Sequence, residues 1–214
     1  MKRLILTSST HTVSDHWVQH LDLKKENKLA FITTPADAEE GDRQWLMDDR
    51  DSLVAAGLDV TDYSIENKNA VQLLQDLSSY DIIYVSGGNT FFMLQQSHVS
   101  GFFEVVHTLV EEMDKIYVGT SAGSIIAGPQ LPEYLLDLGE KNIDDAFLNA
   151  AGYGFVNFIV LPHWGSDDFK KRYLEGRLQL MYHAKQFPVL VLTNHQYVKI
   201  IDDSIEIIDT TKRN

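Results

Sequence analysis

Residues Gly119-Thr120-Ser121-Ala122-Gly123 hold a hydroxyl between two glycines. The apolar run Ile116-Tyr117-Val118 before them reads as a buried strand, and Ser124-Ile125-Ile126 after them as the opening of a helix. A serine on a sharp strand-to-helix turn stands clear of the backbone, and the helix N-terminus behind it favours developing negative charge. Glycines flank it because side chains there would crowd the turn or block a substrate. Ser121 is therefore the candidate nucleophile. A structural turn and a phosphate-cradling loop are the other uses of such a segment.

A serine hydroxyl needs a base, and the base needs an orienting partner. Of the eight histidines, His11, His16 and His20 lie in an early polar stretch, and His98, His107 and His183 fall in helical contexts. His163 instead follows the apolar run 156–161. In an α/β protein that is the carboxyl edge of the sheet, where ligand-contacting residues gather. Ser121 also follows a strand, and two residues at the same edge of one sheet can meet. His163 is thus the candidate base. A second glycine-rich turn, Ser86-Gly87-Gly88-Asn89-Thr90, again ends an apolar run and precedes a helix. It lacks the Gly-x-Gly-x-x-Gly of a dinucleotide site. Its bare N–H groups suit one half of an oxyanion hole, with the Ala122 N–H as the other. The alternative is a turn that uses glycine for packing alone.

These residues need a scaffold, and the hydrophobic pattern supplies one. Continuous apolar runs at 4–6, 29–33, 82–85, 116–118 and 156–161 read as buried strands, and 59–63 alternates like a strand with one polar face. Helices are expected over 15–23, over 42–56 with Gly57 as the stop, over 69–77, over 102–113 and over 167–184 with Ser166 as N-cap. Segments 188–193, 197–201 and 205–208 read as three closing strands, and 129–153 as loops around the site. Strands alternating with helices imply a mostly parallel central sheet with helices on both faces, and the short-looped terminal strands an antiparallel edge. No repeat or linker breaks the pattern, so residues 1–214 read as one α/β domain.

Composition narrows the chemistry. The chain has no cysteine, which removes disulfides, thiolate metal ligands and cysteine nucleophiles. A formal charge of −13 argues against nucleic acid or anionic membrane as a main partner. No apolar run approaches the roughly 20 residues of a membrane span. The opening run from Leu4 to Thr7 is too short for a signal-peptide core, so a cytoplasmic location is expected.

Taken together and in order, Gly87-Gly88-Asn89-Thr90-Phe91, Gly119-Thr120-Ser121-Ala122-Gly123 and Leu161-Pro162-His163 resemble the motifs of the peptidase E family, serine peptidases that release N-terminal aspartate from dipeptides, with cyanophycinases as relatives. The resemblance spans most of the chain. It implies a fold like the class I glutamine amidotransferase domain, Ser121 as nucleophile, His163 as base, and the Gly88 and Ala122 amides as oxyanion donors. It implies no metal and no organic cofactor. Two segments depart from the family pattern. Where the family has an acidic residue after a late strand, this chain has Asn194, an amide that can also orient a histidine. A family carboxylate also follows the nucleophile at a distance matched by Asp137, which is the first choice for the third member; Glu133, Asp144 and Asp145 share that loop. After His163 comes Trp164-Gly165-Ser166-Asp167-Asp168 rather than an arginine-bearing segment, with Lys170, Lys171 and Arg172 only afterwards. The expected activity is serine-type hydrolysis of a small peptide. The alternatives are an esterase or amidase, and a small-molecule-binding module of the same fold that has lost the relay.

Overall fold

The computed structural model describes residues 1–131, 135, 145–147, 150–172, 176, 179 and 187–212. Strand β1 (Arg3–Thr7) leads through a 3-10 turn (Thr10–Thr12) into α1 (Ser14–Trp17) and a second 3-10 turn (Val18–His20). Next come β2 (Lys28–Ile32), α2 (Thr34–Asp37), α3 (Gln44–Ala55), β3 (Asp59–Tyr63), α4 (Ala70–Leu77) and β4 (Ile82–Val85). Helices α5 (Thr90–Ser100) and α6 (Phe102–His107) then run into a π turn (Thr108–Glu112) before β5 (Ile116–Thr120) and α7 (Ala122–Ile126). The last elements are β6 (Ile159–Leu161), α8 (Asp167–Arg172), β7 (Val189–Val191), β8 (Gln196–Ile201) and β9 (Ser204–Asp209).

The central sheet has the order β3-β2-β4-β5-β1-β8-β9. Its first five strands are parallel, while β8 and β9 add the antiparallel edge. Successive residues of β1, β2, β4 and β5 enter opposite cores, as the two-residue period of a strand requires. Leu4 and Leu6, Ile83 and Val85, and Tyr117 join Leu73, Phe91 and Val106 from α4, α5 and α6 on one face. Ile5, Ile82, Tyr84, Ile116 and Val118 join Trp17 of α1 and Leu53 of α3 on the other. Helices on both faces explain why these strands are apolar throughout.

Three expectations need correction. β6 and β7 do not extend the central sheet; they pair in parallel as a separate two-stranded sheet. The place beside β1 is taken by β8, in the register Thr7↔Tyr197. The helix expected over 15–23 is the short α1 followed by 3-10 winding, with the Tyr197 hydroxyl 2.8 Å from His16 Nδ1 and 3.0 Å from His20 Nε2. The helix over 102–113 widens to the π turn, which buries Leu109 and Val110 side by side. Of the helix over 167–184, the described part is α8, and the Ser166 hydroxyl donates to the His163 carbonyl at 3.0 Å.

A polar network fastens the turn after β1 to the neighbouring helix. Asp49, only 4% exposed, accepts from the His11 backbone N–H at 2.9 Å and from His11 Nδ1 at 3.0 Å. Its other oxygen accepts from the Tyr84 hydroxyl at 3.1 Å. The hydrogen bond to Asp49 raises the His11 pKa above the usual imidazole value, against partial burial. A histidine with a raised folded-state pKa stabilises fully below its unfolded pKa, about 6.5, and loses that contribution as pH climbs through the folded value. The melting-temperature difference between the wild type and Asp49→Asn should therefore be largest near pH 6 and shrink toward pH 9. A difference that is flat or grows with pH would show that the pair is not ionised as a unit.

Candidate active site

Ser121 occupies the sharp turn between β5 and α7, with φ 49° and ψ −108°. A non-glycine residue held at such angles costs on the order of 1–3 kcal/mol and persists only where its surroundings fix it. They do so here. The Ser121 N–H donates to the Thr7 carbonyl at the end of β1 at 3.1 Å. The Ser124 hydroxyl lies 2.7 Å from that carbonyl and 2.8 Å from the Gly119 carbonyl, sharing one proton between them. A Cβ on Gly119 would fall 2.4 Å from the Gly123 carbonyl oxygen, and one on Gly123 2.1 Å from the Val85 carbonyl oxygen. Both glycines are there because backbone meets backbone. Gly123→Ala should cost about 3 kcal/mol or prevent folding, read as a drop in urea midpoint. A midpoint within experimental error of wild type would show that the turn has room to spare.

His163 leaves β6 with a positive φ of 61°. That backbone angle belongs to a residue held by its neighbours, and its N–H donates to the Ser8 hydroxyl at 2.6 Å. Its Nε2 lies 2.9 Å from Ser121 Oγ, and its Nδ1 lies 2.9 Å from Asn194 Oδ1. The imidazole is also stacked on Phe169 of α8, with centroids 4.4 Å apart and planes 16° from parallel. The two side chains meet although β6 is outside the central sheet.

Protonation follows from the network. Fully buried Ser8 accepts the His163 backbone N–H, so its own proton goes to Asn194 Oδ1 at 3.0 Å. That makes the Asn194 atom facing His163 an acceptor oxygen, and His163 Nδ1 the protonated nitrogen. Nε2 then offers its lone pair to the Ser121 hydroxyl. Asn194 sits in the turn between β7 and β8, where its carbonyl accepts from the Thr12 hydroxyl. The Trp164 N–H donates to the Leu192 carbonyl at 2.9 Å, tying the residue after His163 to the approach to that turn. Segments after β1, β5 and β7 thus converge on His163, the first on its backbone and the other two on its ring.

The glycine-rich turn lies beside this pair. A Cβ on Gly87 would be 3.5 Å from Ser121 Cβ and 3.3 Å from the Trp45 ring. Gly88 has φ 125°, and a Cβ there would strike the Pro35 carbonyl of α2 at 2.3 Å. Asn89 locks the turn by donating its N–H to Pro35 O at 2.8 Å and capping α5 through its side chain, which accepts from the Phe92 N–H at 2.9 Å. Ala122 is the first residue of α7, so its N–H is one of the donors a helix leaves unpaired at its start.

Not every expected residue falls within this description. Asp137, Glu133 and Asp144 lie outside the described residues, as does the side chain of Asp145. Lys170 is exposed on α8, and the side chains of Lys171 and Arg172 lie outside the described ones. Three neighbours of the site had no sequence signal. Ser8 is one serine in a polar turn, and Phe169 and Trp45 are aromatics whose partners come from distant segments.

Comparison with known proteins gives a consistent family. The model of peptidase family S51 matches residues 4–208. An uncharacterized peptidase of Pasteurella multocida is 25% identical over 205 residues, covering 95% of this chain and 96% of that one. An uncharacterized peptidase of Listeria innocua is 27% identical over 207 residues, covering 96% and 95%. Among solved structures, a protein of Listeria monocytogenes described as a candidate peptidase E superposes with a TM-score of 0.78 at 24% identity, covering 98% of each chain. A peptidase from an acI-B1 actinobacterium gives a TM-score of 0.70 at 13% identity, covering 98% of this chain and 88% of that one. These two likenesses support the α/β fold.

Proposed function

Because the chain belongs to peptidase family S51 and is a serine-type peptidase, we propose that it hydrolyses short peptides, of dipeptide size, through a Ser121-His163-Asn194 relay and an acyl-enzyme. The observation that carries the reading is the pair of 2.9 Å contacts on the two nitrogens of one imidazole, to Ser121 Oγ and to Asn194 Oδ1. His163 Nε2 takes the Ser121 proton as Oγ attacks the scissile carbonyl carbon, whose oxygen becomes an oxyanion. The N–H groups of Gly88 and Ala122 hold that oxyanion. The imidazolium returns its proton to the leaving amine as the C–N bond breaks, leaving Ser121 acylated. Water then attacks the ester with His163 again as base, and the carboxylic acid product departs as Ser121 recovers its proton.

Asn194 does part of what a carboxylate would do. It fixes the tautomer and the ring plane, but it adds no negative charge against the imidazolium. The cytoplasmic location expected from the sequence belongs to the same proposal. A library of dipeptides, assayed by release of free amine, tests the activity. Turnover of a subset of dipeptides, absent from longer chains and from Ser121→Ala, is the expected result. Hydrolysis of simple esters with no cleavage of any peptide would move the substrate class to esters.

A further inference from the structure

We propose that His11, clamped by Asp49, is the carboxylate-recognising residue of this site: its imidazolium binds a free carboxylate of the peptide substrate. The inference rests on the peptidase reading above and extends it to specificity.

Position comes first. The Thr10 N–H donates to the Thr120 hydroxyl at 3.2 Å. The residue just before His11 is therefore bonded to the residue just before Ser121. On α3, Trp45 and Asp49 are four residues apart and share a helix face. Trp45 lies over Gly87 beside Ser121, while Asp49 holds His11. His11 is thus held against α3, one residue along from the Thr10–Thr120 bond that ties its turn to the strand end before Ser121.

The chemistry comes from the clamp. Two donors of His11, its backbone N–H and Nδ1, converge on the same Asp49 oxygen, and the Ser9 hydroxyl is 3.2 Å from Nδ1. Tyr84 takes the other Asp49 oxygen. With Nδ1 committed, Nε2–H is the remaining donor, and it has no partner among the described residues. The side chain is 40% exposed while that of Asp49 is 6% exposed. Asp49 and Asp48 are the charged groups that act on the imidazole, and both favour its cationic form. The result is an imidazole held in place by Asp49 and biased toward its cationic form, in a chain of net charge −13. Such a cation selects a carboxylate, either the C-terminal carboxylate of the peptide or an acidic side chain.

The test uses Ser121→Ala protein, which binds peptide without consuming it, alone and combined with His11→Gln. Calorimetry at pH 6 compares a neutral dipeptide, its C-terminal amide, and the amide of a dipeptide that carries an aspartate. The carboxylate-bearing ligands should bind about ten- to a hundredfold more tightly than the neutral amide. That ratio should collapse toward one with His11→Gln, and should also fall as pH rises past the titration of His11. Preference for the free C-terminus assigns the main-chain carboxylate, and preference for the aspartyl amide assigns the side chain. If His11→Gln does not fold, the imidazole resonances of His11 in Ser121→Ala protein give the same answer. A carboxylate ligand should raise the His11 titration midpoint, and the neutral amide should not. An unchanged ratio, an unmoved midpoint, or no binding of any of the three ligands would overturn the assignment. Labelling of wild-type Ser121 by a fluorophosphonate is independent of His11 recognition, so a failure of the peptidase reading shows separately.

Discussion

Ser121→Ala should lower peptide hydrolysis by at least about 10³-fold while leaving the fold intact, because the residual rate comes only from oxyanion binding and substrate positioning. Stability should change little or even rise. The Ser121 backbone already sits at φ 49°, and alanine there carries the same Cβ strain as serine. The hydroxyl removed has its hydrogen bond to His163 alone among those described. A circular-dichroism spectrum and melting temperature near wild type, with turnover at the detection limit, is the expected pair of results. More than a tenth of wild-type turnover in the purified variant would remove Ser121 from the chemistry.

Asn194→Ala should reduce kcat by about 10²-fold, the scale of losing a group that orients a reacting one. Two donors lose their acceptor together, His163 Nδ1–H and the Ser8 hydroxyl. The imidazole is then free to rotate or change tautomer, and KM should move less than kcat. Asn194→Asp is the informative partner. A carboxylate at this position stabilises the imidazolium, so His163 binds its proton to a higher pH and the acidic limb of kcat/KM shifts upward. Asp137→Asn should stay within a few-fold of wild type under this assignment. If Asn194→Ala is silent and Asp137→Asn cripples turnover, the orienting role belongs to the carboxylate.

The sequence carried the scaffold of this site better than the contacts made across it. Ser121 was legible because its signal is local: an apolar strand, two glycines at fixed spacing and a helix opening lie within eleven residues, Ile116 to Ile126. The glycine-rich turn that holds Gly88 was legible for the same reason. His163 was found from its place after an apolar run, although the ground was partly wrong. Its strand pairs with β7 and not within the central sheet, and an apolar run does not say which strand it will join. The contact between Asn194 and His163 spans 31 residues, a pairing that no periodicity reports. Ser8 was silent altogether: its role comes from receiving the His163 N–H, 155 residues away in sequence. The short winding of α1 and the π turn escaped because apolar spacing is nearly the same in 3-10, α and π helices over one turn.

The central claim is that His163 activates Ser121, and the rate of covalent labelling tests it without any assumption about the substrate. A fluorophosphonate should modify the wild-type protein at one residue, mapped by mass spectrometry to the peptide containing Ser121. Labelling should quicken as pH rises through the titration of His163, and His163→Ala should slow it by at least about 10²-fold. Labelling that is equally fast in His163→Ala, or an adduct on a residue other than Ser121, would contradict the relay.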